Sequence, residues 1–262
     1  VFRVFVNYSE SYYMAQGDNP VEVANPTYKA ETADGWDYGF KGSILNNRIN
    51  YTVSGFLINR QNVTVADIDE VTGLSVNRRD GDQRVKGFEL DVNWNISQEF
   101  SFLGSYGDVN STYTDFGTFN PQAIGRKVQY VAPYNGSLSL KYTPNKGALK
   151  GLSANIGVTF VGETPTEDPI AGDTHLSPTS TVISRSTEQW KLTAPAYSIW
   201  SFGLRYKLPS KSSVSHTIAL NINNLADEVY FKPGSGGANR ILAGDERSFF
   251  ITYTINHKGS QF

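Results

Sequence analysis

GFELDVNWNI, from Gly87 to Ile96, decides how this chain folds. Taken every second residue, Phe88, Leu90, Val92, Trp94 and Ile96 fall on one side. Glu89, Asp91, Asn93 and Asn95 fall on the other. Successive side chains of a strand point to opposite faces, so the stretch is a ribbon with one apolar and one polar face. A period of 3.6 would scatter the five apolar residues around a helix axis. Two carboxylates in a dry core would be costly, so the polar face meets water. The apolar face needs lipid or a second sheet.

The same alternation recurs along the chain. Apolar residues alternate with polar ones from Phe2 to Tyr8, Trp36 to Ile44, Ile49 to Leu57, Phe100 to Tyr106 and Tyr134 to Tyr142. They do so again from Leu152 to Phe160, Trp200 to Leu208, Ile218 to Ile222 and Phe249 to Ile255. Ten strands result, with no amphipathic helix between them. The connections alternate short and long. Residues 46–48, 97–99, 144–151 and 209–215 are short; 9–30, 60–84, 108–131, 162–196 and 228–246 are long. Five connections beyond about 15 residues are unusual in an ordinary domain. Tight turns at one end and long loops at the other are the pattern of outer-membrane barrels, with short periplasmic turns and long extracellular loops. Aromatics at strand ends, among them Tyr8, Trp36, Trp94, Phe100, Tyr134, Tyr142, Phe160, Trp200 and Phe249, suit interfacial girdles. A soluble β-sandwich shares the alternation, but a small soluble barrel fills its interior with apolar side chains, and here every facing set is polar.

Composition agrees. The 262 residues are 39% hydrophobic and 13% aromatic, with 24 Gly and a formal net charge of −2. That balance offers no polybasic surface for nucleic acid. No run of 18 apolar residues exists, which excludes a membrane-spanning helix but not a barrel. Cys is absent, so disulfides and thiol–metal sites are excluded. The chain opens directly on a strand, VFRVFVNYS, with no visible signal peptide, and is expected to be a fragment of a longer one.

Four motifs carry a resemblance. HTIALNINNLADEVYF, from His216 to Phe231, resembles the penultimate strand of TonB-dependent outer-membrane receptors, with its Asn-Asn-Leu-x-Asp-x-x-Tyr ending at Asn223, Asn224, Leu225, Asp227 and Tyr230. Gly244 to Arg247 followed by FFITYTI resembles the Gly-x-x-Arg entry to that family's final strand. RVKGFELDVNWNIS resembles its hairpin with a Gly-x-Glu core, at Gly87 and Glu89, and PYNGSLSLKYT a strand that opens on Pro. The resemblance implies an all-β fold, a transmembrane antiparallel β-barrel of about 22 strands with a plugged lumen. Residues 1–262 would be its C-terminal ten strands, lacking the plug domain and the first strands. One departure stands out: the family ends in an aromatic in register with its final strand, whereas Phe262 is out of step with Phe249, Ile251, Tyr253 and Ile255.

Catalytic chemistry finds no support. His175, His216 and His257 are scattered, and Glu89 with Asp91 reads as a solvated, lumen-facing pair. Asp67, Asp69 and Glu70, or Asp80 and Asp82, are oxygen donors without a calcium-loop spacing. GSGGANR, Gly234 to Arg240, lacks the ending of a phosphate cradle. No enzyme, resident metal or cofactor is expected. Loops on a rigid scaffold carry function, arginine forks suit anionic chelates, and aromatics suit sugars and catecholate-like rings. On loop location, Arg78, Arg79, Tyr113, Arg126, Tyr130, Trp190 and Arg240 are the candidate ligand contacts. The resemblance implies an importer in the bacterial outer membrane. Its expected partners are outer-membrane lipid, TonB acting through the missing plug, and a small ligand such as a ferric siderophore. Glycan or cobalamin import, or a self-contained ten-stranded outer-membrane protein, are the alternatives.

Overall fold

Ten strands hydrogen-bond in a single antiparallel sheet, each beside its neighbours in the order in which they are given next. They are β1 (Phe2–Tyr13), β2 (Glu31–Ile44), β3 (Ile49–Ile68), β4 (Ser75–Asn95), β5 (Phe100–Phe116), β6 (Tyr134–Tyr142), β7 (Leu152–Val161), β10 (Tyr197–Lys207), β11 (Val214–Asn223) and β14 (Ser248–His257). The ladders β8 (Thr164–Pro165) with β9 (Thr193–Ala194), and β12 (Phe231–Pro233) with β13 (Ile241–Ala243), lie within long connections. A computed structural model describes residues 1–13, 29–68, 75–116, 123–166, 193–210, 213–234 and 241–257, with the backbone alone at 66–68, 75–78 and 80. The sheet is a meander with two unpaired edges among the described residues, β1 and β14.

The register converts local alternation into two continuous faces. Val4, Phe40, Val53, Leu90 and Tyr106 stand opposite one another across β1 to β5. On the same face, a second apolar row runs from Phe102 on β5 through Leu140, Ile156, Phe202, Ile222 and Phe249 across β6, β7, β10, β11 and β14. One residue along from the first of these, the row reads Arg3, Lys41, Thr52, Asp91, Ser105, Ser137 and Thr159. A slip of one residue anywhere would exchange the faces, so burial of one face against oil fixes the register.

Among the described residues nothing covers the apolar face. Val6 is 64% exposed and Ile251 79%, and Phe88, Leu90 and Trp94 are exposed too. A sandwich would have buried all of these beneath a second sheet. From Ile49 to Leu57 the apolar face rises about 27 Å along the strand at about 3.4 Å per residue, which a tilt of about 40° reduces to about 20 Å, near the height of an outer-membrane apolar band. Trp94, Phe100 and Tyr142 stand at the short-turn end, with the last two stacked at 4.6 Å. Tyr8 and Trp36 pair at 4.9 Å nearer the other end. The short turns are tight: Leu45, Asn46 and Asn47 all take positive φ between β2 and β3, a conformation that Asn tolerates well.

Two expectations need correction. The connections 60–84 and 108–131 are not wholly loops. β3 runs on to Ile68, β4 begins at Ser75, and β5 reaches Phe116. These strands have 20, 21 and 17 residues, against about 9–11 needed to cross a bilayer, so they project well beyond the apolar band. Above the band both faces meet water or protein, and oil-against-water alternation no longer marks a strand. The strand count also rises by the four short strands β8, β9, β12 and β13, which are too brief to show a period.

Candidate functional site

The long-connection end carries three packed groups. In the first, Arg60 stands on the polar face of β3, in register with Ala33 and Gln83. Its Nε donates to Glu31 Oε1 at 3.0 Å, its Nη2 reaches the same oxygen, and its Nη1 donates to Gln83 Oε1 at 3.0 Å. Gln83 is buried while the Arg60 side chain keeps 42% exposure, so the guanidinium bridges three strands at a half-open site. On the other face, just above the band, Asn59 donates to Asp34 Oδ2 and accepts from Arg84 Nε, each at 3.0 Å. Higher up, Asn62 at φ 57° sits where the β3–β4 register shifts. Its amide N–H donates to Asp82 Oδ1 at 3.2 Å and its side chain to the Ala30 carbonyl at 3.1 Å, so Asp82 pins a bulge.

In the second group the chain turns at 123–126 and runs back along β5. Tyr113 N–H donates to the Arg126 carbonyl at 3.0 Å, Val128 N–H to Ser111 at 3.1 Å, and Val109 N–H to Pro133 at 2.8 Å. Val63, Val65, Phe116 and Ala123 form a small buried cluster there, with Tyr113 against it. The Tyr113 ring meets Phe116 edge-on at 4.8 Å. Tyr130 takes φ 64°, and its N–H donates to the Pro165 carbonyl at 2.8 Å. Gln129 Nε2 donates to the Thr166 carbonyl at 2.6 Å. These bonds tie the returning segment to β8 and the residue after it, where Thr164 and Thr166 are fully buried.

The third group is the connection from β11 to β14. Asn224, 2% exposed and at φ 51°, accepts from Glu228 N–H at 2.8 Å and donates to the carbonyls of Glu228 at 2.8 Å and Asp245 at 3.2 Å. One buried amide thus satisfies three backbone groups from both limbs of the connection. Arg247 Nη2 donates to Asp227 Oδ2 at 3.0 Å. Tyr230 lies 4.7 Å from Tyr197, centroid to centroid, and its hydroxyl accepts from Asp245 N–H at 3.2 Å. A Cβ at position 244 would come within 2.3 Å of the Tyr230 ring, so only Gly lets the ring lie flat against that backbone. Lys232 Nζ reaches Asp245 Oδ2 at 2.8 Å and lies 5.4 Å from the Tyr230 ring centroid. The hydrogen bond from Lys232 holds the Asp245 carboxyl below the usual range and raises the Lys232 ammonium above its own. Asn224, Asp227, Tyr230, Gly244 and Arg247 are the motif residues of the penultimate and final strands, and they converge on one cap.

The model of the TonB-dependent receptor-like β-barrel family matches residues 1–225. The chain belongs to that family. Among curated receptors it is similar to the metal-pseudopaline receptor CntO of Pseudomonas aeruginosa, 25% identical over 254 residues, covering 97% of this chain and 31% of that protein. It is also similar to the probable TonB-dependent siderophore receptor PiuA of Acinetobacter baumannii, 27% identical over 227 residues, covering 82% of this chain and 26% of that protein. The chain therefore spans about a third or less of the receptors it matches. Among solved structures, the ferric-catecholate import receptor Fiu from K12 E. coli superposes with a TM-score of 0.69 over 98% of this chain and 33% of that one, at 20% identity. That likeness establishes the fold, the C-terminal part of a TonB-dependent barrel. The family consists of receptors.

For a receptor barrel, the long-connection end is where loops can meet a ligand. Arg79 lies on β4, Tyr113 on β5, and Arg126 and Tyr130 on the returning segment, all at this end. Tyr113 is committed to the small buried cluster. The backbone of Arg78 pairs with Val65, and its side chain lies outside the described residues, as do Trp190, Arg240, His175 and Phe262. His216 Nδ1 lies 2.7 Å from the Tyr253 hydroxyl, and His257 Nε2 lies 3.3 Å from Ser213 Oγ, so these two histidines are engaged separately. Among the described residues no cluster of His and acidic side chains could hold a metal ion. Sequence reading missed Arg60, Gln83, Tyr197 and Lys232. A loop assignment hid the first two, and the others gain significance only from neighbours distant in sequence.

Proposed function

We propose that this chain is the C-terminal barrel portion of a TonB-dependent importer in the bacterial outer membrane, and that the whole protein takes up a ferric siderophore. The observation that carries the reading is the bare apolar face across all ten strands, capped at one end by strands that overrun the bilayer. Such a face is stable against acyl chains and costly in water. The similarity to the metal-pseudopaline receptor CntO and to the probable siderophore receptor PiuA supports a metal chelate as the ligand class. The two open edges, β1 and β14, would pair with about twelve further strands to close the barrel. The plug would lie upstream and connect to TonB. No covalent chemistry on the ligand is required, and ferric ion is cargo.

Arg78, Arg79, Arg126, Tyr130, Trp190 and Arg240 are the proposed ligand contacts, with Tyr113 supporting them from the cluster. Arginine forks bind the oxygens of an anionic chelate bidentately, and tyrosine or tryptophan rings stack on catecholate-like groups. The test is growth of a deletion strain under iron limitation with individual ferric chelates, with and without the full-length gene restored. Restored growth on one chelate is expected. Growth unaffected on every chelate but lost on a glycan or on cobalamin would replace the siderophore with that ligand.

A further inference from the structure

The polar face is charged unevenly. On β1 to β4 it mixes signs: Arg3 and Lys41 share it with Asp37, Glu89 and Asp91. On β6, β7, β10, β11 and β14 the positions in register with this face carry no carboxylate. They are mostly Ser, Thr, Asn and Gly, and the charges among them are Lys141, Arg205 and Lys207.

Lys141 and Arg205 border one shallow depression, together with Ser139, Ser153, Asn155 and Asn221. Lys141 stands opposite Asn155, and Arg205 opposite Ser153. The two cations are thus two strand spacings apart, about 10 Å across the sheet. Between them, a Cβ at Gly203 would lie 2.3 Å from Asn155 Oδ1, so the bare glycine leaves the Asn155 amide room to lie across the wall. Among the described residues neither cation has a carboxylate partner. In an aqueous bore that would be unremarkable. Beneath a packed plug the cations would lose water, and an unpaired buried charge is strongly destabilising.

We propose that the wall from β6 to β14 seats an acidic face of the plug, with a plug carboxylate on Lys141 and another on Arg205. The inference rests on the receptor reading above, which places a plug inside this sheet. The occupant belongs to the part of the protein outside residues 1–262. The chain covers 31% of CntO's length, which leaves ample sequence for it. Charge complementarity selects the acidic face: a neutral or basic plug surface would leave both cations unpaired, and the hydroxyls and amides around them donate well to carboxylate oxygens. The mixed wall from β1 to β4 places no such demand.

The test uses the full-length receptor in detergent micelles. A carbodiimide joins a lysine amine directly to a carboxylate in contact with it, and mass spectrometry identifies the pair. A cross-link from Lys141 to an Asp or Glu of the plug is expected. It should vanish in Lys141→Arg, which keeps the charge and should import as wild type does. In the double variant Lys141→Glu with Arg205→Glu, cleavage of the plug by protease should speed up by about tenfold, since each site then sets like charges together. Wild-type import with no plug cross-link at Lys141, or a plug in the double variant as protected as in wild type, would overturn the inference and leave the receptor reading standing. A full-length protein without a plug would overturn both.

Discussion

Arg247 donates to the carboxylate of Asp227 at 3.0 Å, across a connection that leaves the sheet at Asn223 and rejoins it at Ser248. The same connection holds buried Asn224, whose amide ties both of its limbs, and the Tyr230 ring lying on Gly244. The strand-end motifs therefore specify a folded cap. The same positions divide into exposed and buried contacts, and the two kinds should respond differently to mutation.

Asp227→Ala should cost little. Both partners are partly exposed, and such ion pairs contribute about 0–1 kcal/mol. Asn224→Ala should cost more, about 1–3 kcal/mol, because it removes the buried amide that partners three backbone groups of Glu228 and Asp245. Thermal unfolding of the full-length protein in detergent measures both. Equal losses would contradict the hydrogen-bond assignment.

Gly244→Ala should lift Tyr230 off the backbone and open the cap, because the new methyl would overlap the ring. Tyr230→Phe should be much milder, removing only the bond to Asp245 N–H, worth about 1 kcal/mol. Limited proteolysis within 225–247 reads the difference, with rapid cleavage expected for the alanine variant alone.

The cap should be insensitive to pH across the neutral range. Asp245 has a depressed folded pKa, so its contribution is present above the ordinary carboxylate range and is lost as pH falls through the depressed value. Lys232 has a raised folded pKa, so its contribution is present below the ordinary ammonium range and is lost as pH rises through the raised value. Amide exchange in 231–245, corrected for intrinsic rate, should be flat from about pH 5 to about pH 9 and loosen beyond either end. A transition near neutral pH would show that another group controls the cap.

On the membrane-spanning part, Leu90→Lys should destabilise the folded barrel by about 2–4 kcal/mol, the cost of a cation near the bilayer midplane. Asp91→Asn, one residue away on the opposite face, should change stability far less. Refolding of the full-length protein into lipid vesicles over a denaturant series provides the comparison. If Asp91→Asn were the more damaging, the two faces would have to be exchanged.

Much of the fold could be read locally. In GFELDVNWNI the period of two separates Leu90 from Asp91 whatever lies elsewhere in the chain, and the turns at 46–48 and 97–99 force neighbouring strands to pair in sequence order. Ten strands, their antiparallel order and the identity of each face follow from that repetition, because one side must meet oil and the other water. The tertiary structure alone decided what happens beyond the oil. Strand β3 continues through Val63 and Val65 to Ile68 because partners from β4 and β5 bury those valines with Phe116, a contact invisible to a period. The returning segment at 123–133 pairs with β5, and Arg60 gathers Glu31 and Gln83 from two other strands. Asn224 reaches Asp245 only after the chain has left the sheet and come back. Above the bilayer each face meets water or protein in place of oil, so alternation loses its meaning there and long-range contacts and hydrogen bonds set the architecture.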